Sequence, residues 1–279
     1  MFGVVPKPLW EKCLPPDEKN RIRLAMRALV FQRAMDGLWC MIDCGAGLRW
    51  DAKHASIYGI DVTRDYVREG LVAVGLSLGL DLKPTDIRCF IATHLHFDHI
   101  GGLVREDTDG KLVPTFPNAL HFIHKRHWEY ALRPTERDHA SFRREDYLPL
   151  EHQVEIEWLE ESETPLFEGQ VVSRSVHGHT PHMQILDIRL GDKVLTYTAD
   201  LVPTVHHVRL PYIMGYDLQP LQTLAEKKDL FSRMALNPRQ ALFLEHDPVT
   251  ECVRVRRSDH QWEVLESSTL AAFISPGKG

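Results

Sequence analysis

The stretch Thr93-His94-Leu95-His96-Phe97-Asp98-His99-Ile100-Gly101-Gly102 constrains this chain more than any other. The apolar run from Ile87 to Ala92 precedes it, bounded by Pro84 upstream and the glycine pair downstream, and reads as a buried strand. Four ligand-type side chains therefore leave the end of one strand together. With the backbone still extended at His94 and His96, the two imidazoles point to the same side, because strand side chains repeat every second residue. Asp98 and His99, in the turn that follows, face a second point nearby. One ion does not need that many donors from a single loop, whereas a pair of ions about 3.5–4 Å apart does. A wet loop that merely happens to be rich in histidine is the competing reading, and H-x-H-x-D-H followed by Gly-Gly is far more specific than a lone histidine.

Further donors follow other predicted strands. Val171 to Val176 leads into His177-Gly178-His179-Thr180-Pro181-His182, where glycine lets the backbone come close to whatever the histidines bind. The hairpin of Met183 to Leu190 and Val194 to Thr198 ends in Ala199-Asp200. That carboxylate is either a turn residue or, beside a dimetal pocket, a bridge. Ala241 to Leu244 is a short strand followed by Glu245-His246-Asp247-Pro248. Asp43, after the strand from Leu38 to Ile42, is equally a turn cap or a partner for the second ring nitrogen of a ligating histidine. His121, His124, His127 and His139 read as core or surface groups. Pro203 to Tyr216 is an irregular connection suited to a substrate wall, and whether His177, His182, His206 or His207 joins the site stays open.

The remaining pattern is that of an α/β chain. Ile22 to Arg33 and Leu38 to Ile42 form a hairpin around Asp36-Gly37, Val62 to Leu80 and Leu218 to Met234 have helical spacing, and Ala119 to His124 and Val154 to Leu159 read as strands. Lys125 to Leu132 reads as a short helix, Pro134 to Arg144 as a mobile loop or lid, and Glu160 to Glu163 as a solvated acidic segment. Val253 to Val255 and Trp262 to Leu265 close the fold as a hairpin. With 279 residues and 43% hydrophobic content, one large domain over residues 21–279 is expected, preceded by a proline-rich arm over residues 1–20 that packs on it. A net charge of -6 gives no general reason to bind nucleic acid or an anionic membrane. No run approaches the roughly 20 apolar residues of a membrane span, and no basic segment leads into an apolar one at the start. Five scattered cysteines suggest reduced thiols. A cytoplasmic protein acting on a small molecule is the expectation.

These residues resemble the metallo-β-lactamase-fold hydrolase superfamily, whose H-x-H-x-D-H signature is found here at His94, His96, Asp98 and His99. The resemblance implies an αβ/βα four-layer sandwich, two packed sheets with helices on both outer faces and metals at one sheet edge. By that pattern His94, His96 and His179 hold a first metal; Asp98, His99 and His246 hold a second; Asp200 bridges both. The layout is similar to lactonase-like and phosphotriesterase-like members. It departs from the family at His177-Gly178-His179-Thr180-Pro181-His182, where P-G-H-T-P-G-H is common, and at Leu201-Val202-Pro203, where homoserine-lactone lactonases carry a tyrosine. The implied activity is hydrolysis of an ester, lactone or phosphotriester by a hydroxide held between two divalent ions, with Asp98 handling the proton. Zinc is preferred over manganese or iron. The alternatives on this scaffold are a mononuclear iron dioxygenase, in which His99 and His246 bind no metal, and a nuclease, which the absence of a basic exosite arm disfavours. A homodimer through the arm is compatible with the sequence.

Overall fold

A computed structural model describes residues 1–259 and 261–275. The chain divides into two compact units, one of Met26–Glu160 and one of Met1–Ala25 with Glu161–Gly279.

In the unit Met26–Glu160 the strands are β1 (Leu29–Gln32), β2 (Trp39–Ile42), β3 (Ile87–Ile91), β4 (Val104–Glu106), β5 (Leu112–Pro114), β6 (Leu120–His124) and β7 (Ile156–Leu159). Five of them form a sheet in the order β1-β2-β3-β6-β7, and β4 pairs with β5 as a separate ribbon. The hairpin β1–β2 is antiparallel and the other neighbours are parallel. Parallel neighbours need crossovers, supplied between β2 and β3 by helices Ala52–Tyr58 and Tyr66–Ser77 and between β6 and β7 by Lys125–Ala131. The apolar run from Ile22 becomes strand only from Leu29, since β2 offers partners for four residues, Leu29 opposite Ile42 through Gln32 opposite Trp39. The helix expected from Val62 starts later, where the Asp65 carboxylate accepts the Arg68 N–H, and stops before Gly79 at φ 71°. Leu71, Ile87, Phe90, Leu95, Ile100, Phe116 and Trp128 form the core. Within the segment from Pro134 to Arg144, Phe142 is buried in that core and the Asp138 carboxylate accepts from the Tyr130 hydroxyl at 2.8 Å, and just beyond it Tyr147 is buried and Asp146 pairs with Arg49.

The second unit carries β8 (Glu163–Leu166), β9 (Val171–Val176), β10 (Met183–Leu190), β11 (Lys193–Tyr197), β12 (Gln240–Phe243), β13 (Cys252–Ser258) and β14 (Gln261–Ser268), in the sheet order β14-β13-β12-β11-β10-β9-β8. Only β11 and β12 run parallel, and the helix Pro220–Ala235 spans that crossover. Strand β8 starts at Glu163, inside the stretch expected to be solvated loop. It lies at the sheet edge, where Pro165 and charged residues are tolerated and leave no alternating pattern to read. Residues 1–10 pack on this unit through buried Phe2. All five cysteines are free thiols, and no described helix is long and apolar enough to cross a membrane.

In both units several chemistry-bearing residues follow the carboxyl ends of parallel strands, whereas His179 follows β9, which is antiparallel to both its neighbours. Asp43 follows β2, His94 to His99 follow β3, Asp200 follows β11 and His246 follows β12. Ligand sites of parallel sheets collect at such ends.

Candidate metal centre

In the unit Met26–Glu160, the loop after β3 turns into a single helical turn, Phe97–Ile100, and packs backbone against backbone on the loop after β2. A Cβ on Gly101 would lie 2.4 Å from the Ala46 carbonyl oxygen, and one on Gly102 would lie 2.7 Å from that of Cys44, which explains the glycine pair of the motif. Close approach lets the Cys44 N–H donate to the His99 carbonyl at 2.7 Å and leaves Asp43 beneath the histidines. Asp43 is fully buried and has φ 51°, a conformation that aspartate tolerates better than most residues. Its Oδ1 accepts the Thr93 N–H at 2.9 Å; its Oδ2 accepts the Thr93 hydroxyl at 2.7 Å and lies 3.1 Å from His99 Nδ1. With its proton spent on Asp43, Thr93 Oγ1 accepts from His94 Nδ1 at 3.0 Å. One carboxylate thus fixes the tautomers of two imidazoles, directly for His99 and through Thr93 for His94, and leaves the lone pair of each on Nε2. His94 Nε2 faces His96 Nδ1 at 3.1 Å. Asp98 is partly exposed, its Oδ1 4.0 Å from His99 Nε2.

The second unit orients its donors by the same means. His179 sits between two carboxylates, its Nε2 3.0 Å from Asp200 Oδ2 and its Nδ1 2.9 Å from Asp217 Oδ1, and the Thr223 hydroxyl donates to the other Asp217 oxygen at 2.7 Å. Burial opposes a charge on His179, but Asp200 and Asp217 outweigh it and raise its pKa to about 10. A divalent cation at Nε2 therefore competes with one proton. His246 Nδ1 donates to the Ala25 carbonyl at 2.7 Å, while its Nε2 lies 3.0 Å from Asp200 Oδ1. Asp200 thus offers one oxygen to each of two imidazoles. Gly178 is required because a Cβ there would meet the Thr223 hydroxyl at 2.2 Å.

The donor sets fit a metal. Two ligands about 2.0–2.1 Å from a zinc ion and about 95–110° apart are about 3.0–3.4 Å from each other. Three donor pairs within a unit, His94 with His96, His179 with Asp200 and His246 with Asp200, are 3.1, 3.0 and 3.0 Å apart, while Asp98 and His99 are wider at 4.0 Å. The unit Met26–Glu160 brings together His94, His96, Asp98 and His99, and the other unit brings together His179, Asp200 and His246.

Of the histidines left open, His207 is used elsewhere: its Nε2 donates to the Met1 carbonyl, and its Nδ1 accepts from Thr204 at 2.8 Å. Burial pushes its pKa down to about 3. His177 Nδ1 accepts the His182 N–H at 3.2 Å. The second reading of Asp43, as a histidine's partner, is the one observed. Asp217 carried no motif. His127, read as core or surface, is buried and accepts the Leu95 N–H at 2.9 Å, which steadies the backbone between His94 and His96.

The chain belongs to the metallo-β-lactamase superfamily, whose family model matches residues 35–239. It is similar to the N-acyl homoserine lactonases AttM of Rhizobium radiobacter, 28% identical over 177 residues, 58% of this chain and 61% of that protein. The AttM of Agrobacterium fabrum is 27% identical over 177 residues, again 58% of this chain and 61% of that protein. The chain thus matches about three fifths of the length of these relatives. A probable metal-dependent hydrolase from Staphylococcus aureus superposes with TM-score 0.80 at 25% identity, over 96% of this chain and 90% of that one. AidC, a dizinc quorum-quenching lactonase, superposes with TM-score 0.68 at 20% identity, over 88% of this chain and 81% of its own. The fold is therefore the metallo-β-lactamase fold expected from the signature.

Proposed function

We propose that the protein is a dinuclear metal-dependent hydrolase of a small ester or lactone. His94, His96 and His179 would hold one divalent cation, Asp98, His99 and His246 a second, and Asp200 would bridge them, zinc being the best match to histidine and carboxylate donors. The observation that carries this reading is Asp200, with Oδ2 on His179 and Oδ1 on His246, both at 3.0 Å. When bound, the cations supply an acidified water, its pKa lowered toward about 7, and a Lewis acid for the carbonyl oxygen.

The chain's own groups do the rest. Asp43 and Asp217 keep Nδ1 of His99 and His179 occupied, so that Nε2 stays available. Asp98, the most exposed of the donors, takes up a proton on its carboxylate and returns it to the leaving oxygen. No serine or cysteine nucleophile is required. The lactonase relatives favour a lactone, whereas Leu201-Val202-Pro203, standing where homoserine-lactone lactonases carry a tyrosine, weighs against a homoserine lactone and keeps a simple ester in view.

The test is metal analysis of the purified full chain together with hydrolysis of N-acyl homoserine lactones, simple esters and phosphotriesters. Two metals per chain and lactone or ester turnover that a chelator abolishes are expected. Fewer than one metal per chain rejects the proposal, and turnover of phosphotriesters alone rejects its substrate class.

A further inference from the structure

The connection from Pro203 to Tyr216 contributes no ligand, yet the residue after it is Asp217, which fixes His179. Two side chains remote from it in sequence hold it in place. Lys227, within the helix Pro220–Ala235, is fully buried, and its ammonium donates to the carbonyl oxygens of Arg209 at 3.0 Å, Leu210 at 3.4 Å and Tyr212 at 2.9 Å. Three N–H donors meet three carbonyls, which is what a buried ammonium needs to offset its lost hydration. Packing alone would be served by an apolar residue at this position. Three contacts on one nitrogen add convergence, since three carbonyls aimed at one point impose a particular turn on residues 209–212.

The second group is Phe2. Its ring stacks on His207 at 5.0 Å and 10° and on Trp10 at 5.6 Å and 23°, and it meets Tyr212 edge-on at 5.8 Å. The next residue, Gly3 at φ 51°, passes so close that a Cβ would lie 2.6 Å from the Ile213 carbonyl oxygen. Tyr212 is thus held twice, by its carbonyl on Lys227 and by its ring on Phe2.

We infer that Lys227 and Phe2 are positioning residues of the metal site, clamping residues 207–213 so that Asp217 keeps His179 oriented with Nε2 toward the cation. The inference rests on the proposed role of His179 as a ligand. If the clamp acts as one device, the two side chains are energetically coupled, and removing both costs less than the sum of the single losses.

The experiment uses the full chain and two readouts: zinc affinity by chelator competition, and the hydrogen-bonded imidazole N–H signal of His179 in the metal-free protein by proton–nitrogen NMR. The wild type should show that signal and Asp217→Ala, which removes the acceptor, should lose it. Phe2→Ala and Lys227→Met are each expected to shift or broaden the signal and to weaken zinc binding about tenfold, while Phe2→Tyr, which keeps the stack, restores both. Phe2→Ala with the wild-type signal and wild-type affinity overturns the inference, whatever the fate of Lys227→Met. If His179→Ala leaves zinc affinity unchanged, the ligand assignment itself falls and the inference falls with it; if His179→Ala loses zinc while Phe2→Ala does not, only the clamp is refuted.

Discussion

Replacing Asp43 by asparagine tests how one carboxylate governs two ligands. The substitution keeps the shape of the side chain, and asparagine tolerates φ 51° as well as aspartate does, so the backbone need not move. What changes is that one acceptor oxygen becomes an N–H₂ donor. If the amide nitrogen takes the place of Oδ1, it confronts the Thr93 N–H, now 2.9 Å from that oxygen, and a buried donor is left unmatched at a cost of about 1–3 kcal/mol in folding. If it takes the place of Oδ2, it faces His99 Nδ1 and the Thr93 hydroxyl, which sit 3.1 and 2.7 Å from that oxygen. His99 must then accept at Nδ1 and carry its proton on Nε2. The Thr93 hydroxyl must turn toward His94, which shifts its own proton the same way. Two prospective ligands lose their lone pairs together, so zinc affinity should fall by at least the 10- to 100-fold typical of one lost orienting partner, about 1.4–2.7 kcal/mol. Chelator competition for zinc and urea unfolding of the metal-free chain separate the two cases. An Asp43→Asn chain with wild-type zinc affinity and a wild-type unfolding midpoint would refute the proton accounting.

Three further outcomes are expected. Asp200→Ala should reduce bound zinc from two per chain to one at most, by metal analysis, and retention of two would show that the carboxylate is not shared. Gly101→Ala should destabilise the fold by about 1–3 kcal/mol, because its Cβ would meet the backbone oxygens of Ala46 at 2.4 Å and Phe97 at 2.5 Å; an unchanged melting temperature would contradict that close approach. Acid should unfold the protein through its buried neutral histidines. Burial lowers the pKa of His121 from 6.5 to about 4, so between these values only the unfolded chain takes up the proton, and stability present above pH 6.5 is lost as the pH falls through 4. At 1.36 kcal/mol per pH unit this is about 3 kcal/mol, and a His121→Phe chain whose stability between pH 6.5 and 4 falls as steeply as that of the wild type would rule it out.

The layout of the fold was readable because strands and signature ligands obey local rules. Alternation placed His94 and His96 on one side, turn residues marked the strand ends, and every proposed ligand except Asp200 announced itself as a histidine or sat inside the H-x-H-x-D-H run. Where local rules weaken, the reading failed: edge strand β8 has no alternation, and the segment from Pro134 is anchored by Phe142, Tyr147 and the Arg49–Asp146 pair without any periodic apolar pattern.

What tertiary structure alone decided is how each imidazole is aimed. Asp217 reaches His179 across 38 residues, His127 reaches the Leu95 N–H across 32, and the Ala25 carbonyl reaches His246 across 221. Such bonds join a side chain to a carboxylate or to backbone brought near by packing, and neither partner needs a recognisable residue type or spacing. The amino-acid order states which donors exist, and folding determines which nitrogen of each donor is left for a cation.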